Sequence, residues 1–178
     1  MAKTDTTLAL EKALWRATNK QGIFGCFEVT IGWFGKERVD YMTRDIKGDF
    51  RCYEIKVSVS DFHSKSANTF VGDLNYYVMT KDLYNKVIDE IPKGIGVLLA
   101  DPDNKHAEAY IVRRATRQPL KIERSVLIDS IIRSLSRDAD KYYAKMDSDI
   151  AKEYEKKLAE VRRERNMYKS LAYDRKKK

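Results

Sequence analysis

At 178 residues, 43% hydrophobic and 35% charged, the chain has enough apolar material for one core and too many charges for a membrane-embedded protein. A formal net charge of +8 and a pI near 9.3 argue against an acidic solvating chain and for a polyanionic partner. Cys26 and Cys52 have no CxxC spacing, which argues against a zinc site or a disulfide scaffold and makes them reduced core residues.

In chain order, the first predicted element is a helix over 5–19. Asp5, Thr6 or Thr7 can cap it, and Leu8, Leu10, Ala13, Leu14 and Ala17 form its apolar face. Asn19-Lys20-Gln21-Gly22 ends it. Phe27, Val29, Ile31 and Trp33 then alternate with Glu28, Thr30 and Gly32 in a strand pattern, and Phe34-Gly35-Lys36 turns the chain into a second strand over 37–43.

Turn chemistry follows in Ile46-Lys47-Gly48-Asp49, where Gly48 is free to take a positive φ, and a third strand covers 50–57. A hairpin symmetric about Lys47 sets Asp40 opposite Glu54, with the two about 5 Å apart. Side chains alternate along a strand, so Glu54 and Lys56 share a face while Ile55 points the other way. Asp40, Glu54 and Lys56 therefore converge. Two carboxylates supply the hard oxygen ligands that Mg²⁺ or Mn²⁺ prefers, with the Ile55 carbonyl as a third protein ligand. Such a metal makes a bound water nucleophilic, and a neighbouring lysine holds that water or stabilises the transition state. The same spacing also fits an ordinary solvated ion-pair ladder.

Beyond Lys56 the chain leaves the sheet. Ser60 is the expected cap of a short polar helical segment running to about Phe70. A strand over 74–79, a helix over 81–90 capped by Thr80, and a doubly apolar strand over 95–100 come next. Asp101-Pro102-Asp103-Asn104 makes a turn, and 107–112 forms the final strand. Val126, Ile128, Ile131, Ile132 and Leu135 then keep a helical period and should dock on the sheet. Ile150, Tyr154, Leu158, Val161, Tyr168 and Leu171 make a narrow stripe flanked by charge, including a Glu153–Lys157 pair, which suits a coiled coil or a long docked arm. Residues 151–178 hold eleven Lys/Arg against five Asp/Glu, a tail that fits either a nucleic-acid grip or a soluble helix. The expected division is 1–120 as core and 121–178 as helical extension. No apolar run approaches membrane-spanning length and Met1-Ala2-Lys3-Thr4-Asp5 has no signal-peptide character, so a cytoplasmic protein with no membrane association is expected.

The order helix, three-stranded meander carrying D…ExK, helix, strand resembles the PD-(D/E)XK nuclease superfamily. Arg38-Val39-Asp40-Tyr41-Met42, Glu54-Ile55-Lys56-Val57-Ser58-Val59-Ser60-Asp61-Phe62 and Gly94-Ile95-Gly96-Val97-Leu98-Leu99-Ala100-Asp101 are similar to the MmcB-like group of DNA-repair proteins, with their EIKSS-x-x-DF run. The resemblance covers roughly 8–113. It implies an α/β, restriction-endonuclease-like core (α-β-β-β-α-β) with a mixed central sheet flanked by helices, here followed by a long basic C-terminal helix. It also implies metal ligation by Asp40 and Glu54, with Lys56 as catalytic lysine. Many members add an acid from the first helix. Here that is Glu11, preferred slightly over Glu28 on the first strand. The proline that names the motif is replaced by Val39.

Ser58, Ser60, Asp61, His63 and Lys65 follow the motif, where Lys65 can approach a phosphate and Ser60 and Asp61 more simply cap a helix. His63, without a partnered His or Cys, is no ligand, and His106 reads as a surface residue. Arg113, Arg114, Arg117, Lys121 and Arg124 form a basic run suited to phosphates, through which binding should weaken steeply with salt. The first expectation is thus a Mg²⁺- or Mn²⁺-dependent DNA endonuclease acting in repair, recombination or replication. Its alternative is a catalytically silent nucleic-acid-binding or partner-recruiting module. The helix stripe admits a homodimer or a helix-mediated protein partner.

Overall fold

The computed structural model describes residues 3–64 and 68–175, the side chains of 168–175 excepted. Its elements are α1 (Asp5–Thr18), β1 (Ile23–Thr30), β2 (Arg38–Asp45), β3 (Phe50–Ile55), α2 (Val59–Phe62), β4 (Leu74–Met79), α3 (Lys81–Val87) followed by a 3-10 turn (Ile88–Glu90), β5 (Gly96–Leu99), β6 (Tyr110–Arg113) and α4 (Arg124–Arg175). All six strands lie in one sheet in chain order. The pairs β1–β2, β2–β3 and β5–β6 are antiparallel, and β3–β4 and β4–β5 are parallel, which makes the sheet mixed. Parallel neighbours need crossovers over a face, and the segments holding α2 and α3 provide them.

Helices cover both faces. Leu10, Ala13 and Leu14 of α1 pack on Tyr41, Tyr53, Ile55, Tyr76 and Val78. Opposite them, Leu127 and Ile131 of α4 meet Cys26, Met42, Phe50 and Cys52, while Phe62, Leu83 and Val87 meet Tyr77, Met79, Val97 and Leu99. Both cysteines are free and buried, and burial pushes the Cys52 thiol up to about 12, so it stays protonated and inert.

Local chemistry accounts for most element ends. Thr4, not Asp5, Thr6 or Thr7, caps α1, its hydroxyl accepting from Thr7 N at 3.2 Å. In the β2–β3 turn the Asp45 carboxylate accepts from Lys47 N and Asp49 N, and Gly48 takes a φ of 87°. The helix after β3 departs from expectation. It is four residues long, ends at Phe62 and is capped by Ser58 instead of Ser60. Ser58 Oγ accepts from Asp61 N while Asp61 Oδ2 accepts from Val57 N, so the pair closes a single turn; residues 65–67 of the expected segment lie outside the described residues. Trp33 lies beyond the end of β1 and is largely exposed, and the last strand is the shorter Tyr110–Arg113.

Two compact units are present, Met1–Leu135 and Ser136–Lys178. Leu127 and Ile131 are buried in the core of the first unit, which therefore takes in the start of α4. Ser130 and Ser134 are buried with them, whereas Ile132 and Leu135 are exposed. Of the residues expected to dock, Ile131 is buried, and Val126 and Ile128 pack partly buried against the same cluster. The buried set of α4 is Leu127, Ser130, Ile131 and Ser134, at helical i, i+3, i+4, i+7 spacing, two of whose members the apolar pattern does not mark because they are serines. Among the described residues no helix is long and apolar enough to cross a membrane.

One buried carboxylate pins the turn end of the sheet. Asp73 Oδ2 accepts from Phe50 N at 2.8 Å, and the same carboxylate pairs with Arg117 and Arg124, each at 3.1 Å. Asp73→Ala strands a buried N–H and two guanidinium groups. The expected loss is about 2–3 kcal/mol in urea unfolding, and an unchanged midpoint would show the clasp to be dispensable.

Candidate functional site

The register of the β2–β3 ladder, Tyr41 with Tyr53 and Met42 with Cys52, carries Asp40 to the place across from Glu54. Asp40 Oδ2 accepts from Ile55 N at 2.9 Å, which ties its carboxylate to the backbone beside Glu54. Glu54 is 5% exposed and Lys56 is 4% exposed. Glu54 Oε1 accepts from Thr69 N at 3.1 Å, so the segment leading into β4 closes over it. Lys56 lies one residue past β3, where its N–H donates to Val78 O at 2.9 Å and continues the pairing with β4.

Electrostatics in this corner are tense. Burial raises Asp40 above the ordinary carboxylate range, against the pull of the Ile55 N–H and the Lys56 charge. Burial, and then repulsion from Asp40, pushes Glu54 up to about 8, with Lys56 and the Thr69 N–H acting in the other direction. Two desolvated carboxylates that cannot both ionise cheaply are a site awaiting positive charge.

All three residues line one open cleft of about 790 Å³ together with Ile55, Glu11, Glu28, Lys3, Lys36, Arg38, Asp61 and Thr69. Both proposed extra acids therefore reach the cleft. They share a counter-ion, as Lys3 Nζ stands 2.7 Å from Glu11 Oε1 and 2.8 Å from Glu28 Oε1. Burial alone would lower the Lys3 ammonium, but the two carboxylates overcome it and the net shift is upward. Glu28 also lies 3.8 Å from Arg38 and holds a φ of 53°, a region that non-glycine residues seldom take. The β1–β2 ladder passes from Phe27–Tyr41 to Val29–Val39 around it. As a result Cys26 and Val29, an odd number of residues apart, enter the same core cluster. This backbone strain sits beside the cleft, as strain at functional positions commonly does, and it singles out Glu28 in a way that sequence spacing could not.

The residues read from the sequence as phosphate contacts are placed elsewhere. Arg117 is bound to Asp49 and Asp73 at the start of β3 and β4, the opposite end of those strands from Glu54 and Lys56. Arg113 sits across from Val97 on the outer strand and donates to the carbonyl oxygens of Ile91 and Pro92. Arg114 and Lys121 are exposed, and none of the four lines the cleft. Arg124 serves the Asp73 clasp. Lys65 lies outside the described residues. The basic groups that do line the cleft are Lys3, Lys36, Arg38 and Lys56, of which the sequence motif marks Lys56 alone. Lys36 and Arg38 flank the motif strand, a signal the sequence contained but which clustering of charge elsewhere outweighed.

Among the described residues no three His, Cys, Asp or Glu side chains gather closely enough to form a metal-ligating group by themselves. What stands ready is smaller: two raised carboxylates and the Ile55 carbonyl. That set fits a hard cation which keeps several of its own waters, as Mg²⁺ does.

No family model matches the chain, and no curated protein matches it. Among solved structures it is similar to the SPO1766 protein of unknown function from Silicibacter pomeroyi, with a TM-score of 0.62 and 23% identity over 78% of this chain and 91% of that one. At that identity the likeness establishes a shared fold and nothing about activity.

Proposed function

We propose that this chain is a Mg²⁺- or Mn²⁺-dependent deoxyribonuclease built on a restriction-endonuclease-like core. The observation that carries this reading is the meeting of Asp40, Glu54 and the buried Lys56 at one end of a β-hairpin, in a cleft rimmed by Lys3, Lys36 and Arg38. The order α1-β1-β2-β3-α2-β4 supports it, being the element order expected of that core. An ordinary ion-pair ladder would lie on a solvated face, whereas Glu54 and Lys56 are both almost fully removed from water. Burying such charges for stability alone is a poor bargain.

Asp40, Glu54 and the Ile55 carbonyl would hold the metal. When bound, it acts as a Lewis acid that acidifies water and offsets phosphate charge. The protein's own groups do the remainder. Ile55 N–H and Thr69 N–H fix the two carboxylates in orientation. Lys56, held in a low-dielectric corner, counters the charge that grows on the phosphate oxygens as the nucleophile adds, where its attraction is much stronger than in water. Lys36 and Arg38 attract the flanking phosphates. Glu28 or Glu11, whichever is released by Lys3, serves as the additional acid.

Cleavage of a labelled panel of duplex, single-stranded, flapped and branched DNA in Mg²⁺ or Mn²⁺ tests the proposal. No product from any of them sinks it. A second reading, a nucleic-acid-binding or partner-recruiting module on the same fold, draws on the Lys3 bridge, which already neutralises the outer acids. It expects DNA to be bound and left intact.

The second unit supports a further partner proposal. Tyr142, Tyr143, Met146, Ile150, Tyr154, Leu158 and Val161 are all exposed along α4, beside the Glu153–Lys157 pair at 2.8 Å. Tyr168 and Leu171 of the same stripe lie beyond the described side chains. This row suits a homodimer or a partner helix. Leu158→Glu in the full chain is then expected to lower the sedimenting mass to that of the monomer, and an unchanged mass argues against self-association.

A further inference from the structure

The loop between β1 and β2, residues 31–37, carries the most exposed aromatic residue in the protein's described part. Phe34 is 99% exposed and Trp33 is 75% exposed. Single exposed apolar side chains are ordinary. What sets Phe34 apart is how its loop is held and what lies beside it.

The loop's shape is fixed at several points. Ile31 N donates to Glu37 O at 3.0 Å and closes its base. Gly32 takes a φ of 70° and donates to Ser130 Oγ at 3.0 Å. At Gly35 an added Cβ would lie 1.6 Å from Ile31 O, so only glycine permits the turn. From α4, Arg133 donates to Thr30 O at 3.2 Å and to Gly32 O at 2.9 Å, and its guanidinium stacks 4.7 Å from the centre of the Trp33 ring. Trp33 thereby has a face covered, while Phe34 is presented bare. The next residues, Gly35, Lys36 and Glu37, line the catalytic cleft, followed by Arg38 and Asp40. A bare ring on a pinned loop, with a lysine and an arginine within four residues of it, is the combination used to hold unstacked bases: charge tracks the backbone and the ring takes the base.

We propose that Phe34 is a stacking wedge for a nucleobase that has left the duplex, so that the preferred ligand of the cleft is DNA with unpaired bases beside the bound phosphates, as at a fork, flap or bubble. This rests on the reading of the cleft as a DNA site and adds the class of DNA. The side chain acts by positioning the strand, and the chemistry remains with Asp40, Glu54 and Lys56.

The experiment compares the native chain, Phe34→Ala and Phe34→Trp on forked DNA carrying 2-aminopurine at the unpaired base and on a fully paired duplex of the same sequence. Binding is measured in Ca²⁺ and cleavage in Mg²⁺ or Mn²⁺. Phe34→Ala is expected to weaken forked-DNA binding by roughly 5- to 100-fold, to leave duplex binding unchanged and to abolish the quenching of 2-aminopurine. Phe34→Trp keeps both the forked-DNA affinity and the quenching. Because the side chain touches nothing in the folded protein, misfolding does not mimic this result. Equal losses on both DNAs, or none on either, overturn the proposal. Cleavage by the native chain with Phe34→Ala unaffected would leave the nuclease standing and remove the wedge. Selective loss of forked-DNA binding with no cleavage by any variant would do the reverse, and a native chain that binds neither DNA removes both.

Discussion

Asp40→Asn is expected to lower DNA cleavage by about 10²- to 10³-fold while leaving the protein folded. Asparagine keeps an oxygen that can accept from Ile55 N, the bond that Asp40 makes at 2.9 Å, so the hairpin retains its geometry. The variant loses a negative charge that, on the proposed reading, would help hold a cation, and that pairs electrostatically with Lys56. Lys56→Ala should fall in the same range for a different reason. It removes the positive charge proposed to stabilise the transition state and leaves Asp40 and Glu54 facing each other with less compensation. The check is the initial cleavage rate at saturating Mg²⁺, read beside the thermal midpoint and the affinity for uncleaved DNA. Native-like cleavage by Asp40→Asn would remove that carboxylate from the chemistry. Native-like DNA binding with no cleavage by even the native chain would instead favour the silent module.

The second large effect is on stability, and it has the opposite sign from most substitutions in a core. Glu54 is pushed up to about 8 by burial and by Asp40, and Asp40 is raised in the same direction. Below the ordinary carboxylate pKa, about 4.3, both folded and unfolded chains hold the proton and nothing is lost. Between there and about 8 the unfolded chain gives up its proton while the folded one keeps it, so ionisation favours unfolding. The metal-free protein should therefore lose stability as pH rises from 5 to 8, by about 1.4 kcal/mol per pH unit through Glu54, and the upward shift of Asp40 acts in the same direction. Glu54→Gln abolishes the Glu54 share. Glutamine still accepts from Thr69 N, carries no charge, and should be more stable than the native chain at pH 8 by a few kcal/mol while matching it near pH 4. Urea unfolding across this range decides it. A native chain whose stability is flat with pH, or a Gln variant weaker at pH 8, contradicts the account. Mg²⁺ or Mn²⁺ should raise the native midpoint more at pH 8 than at pH 6 and do little for the variant. Loss of cleavage with gain of stability is the signature of a residue kept for function.

Part of this site is readable without coordinates because it depends on short-range rules. The turn at Gly48 fixes the hairpin register, and the register fixes which residue faces Glu54. Alternation then places Lys56 on the same face as Glu54. The basic run lies away from the cleft for a reason of equal simplicity. Charge clusters along the chain at 113–124, but Arg117 and Arg124 hold Asp73, and Arg113 holds the Ile91 and Pro92 carbonyls. A run of like charges says where repulsion must be relieved, not which carboxylate relieves it.

By itself the sequence determined the mixed character of elements up to β5, the hairpin that joins Asp40 to Glu54, and the buried state of both cysteines. Each follows from turn chemistry, from a period of two or about 3.6, or from apolar content, all of which act between residues close in the chain. Tertiary structure alone decided the rest. Lys3 bridges Glu11 and Glu28 across helix and strand, Glu28 holds a φ of 53°, and the buried face of α4 includes two serines. Ser130 and Arg133 reach back to pin the loop that bares Phe34. Contacts of this kind join residues far apart in the chain, as in the hydrogen bond from Gly32 to Ser130. No local pattern encodes them, because which distant side chain fills a given hydrogen-bonding vacancy depends on how the whole sheet and its helices come together.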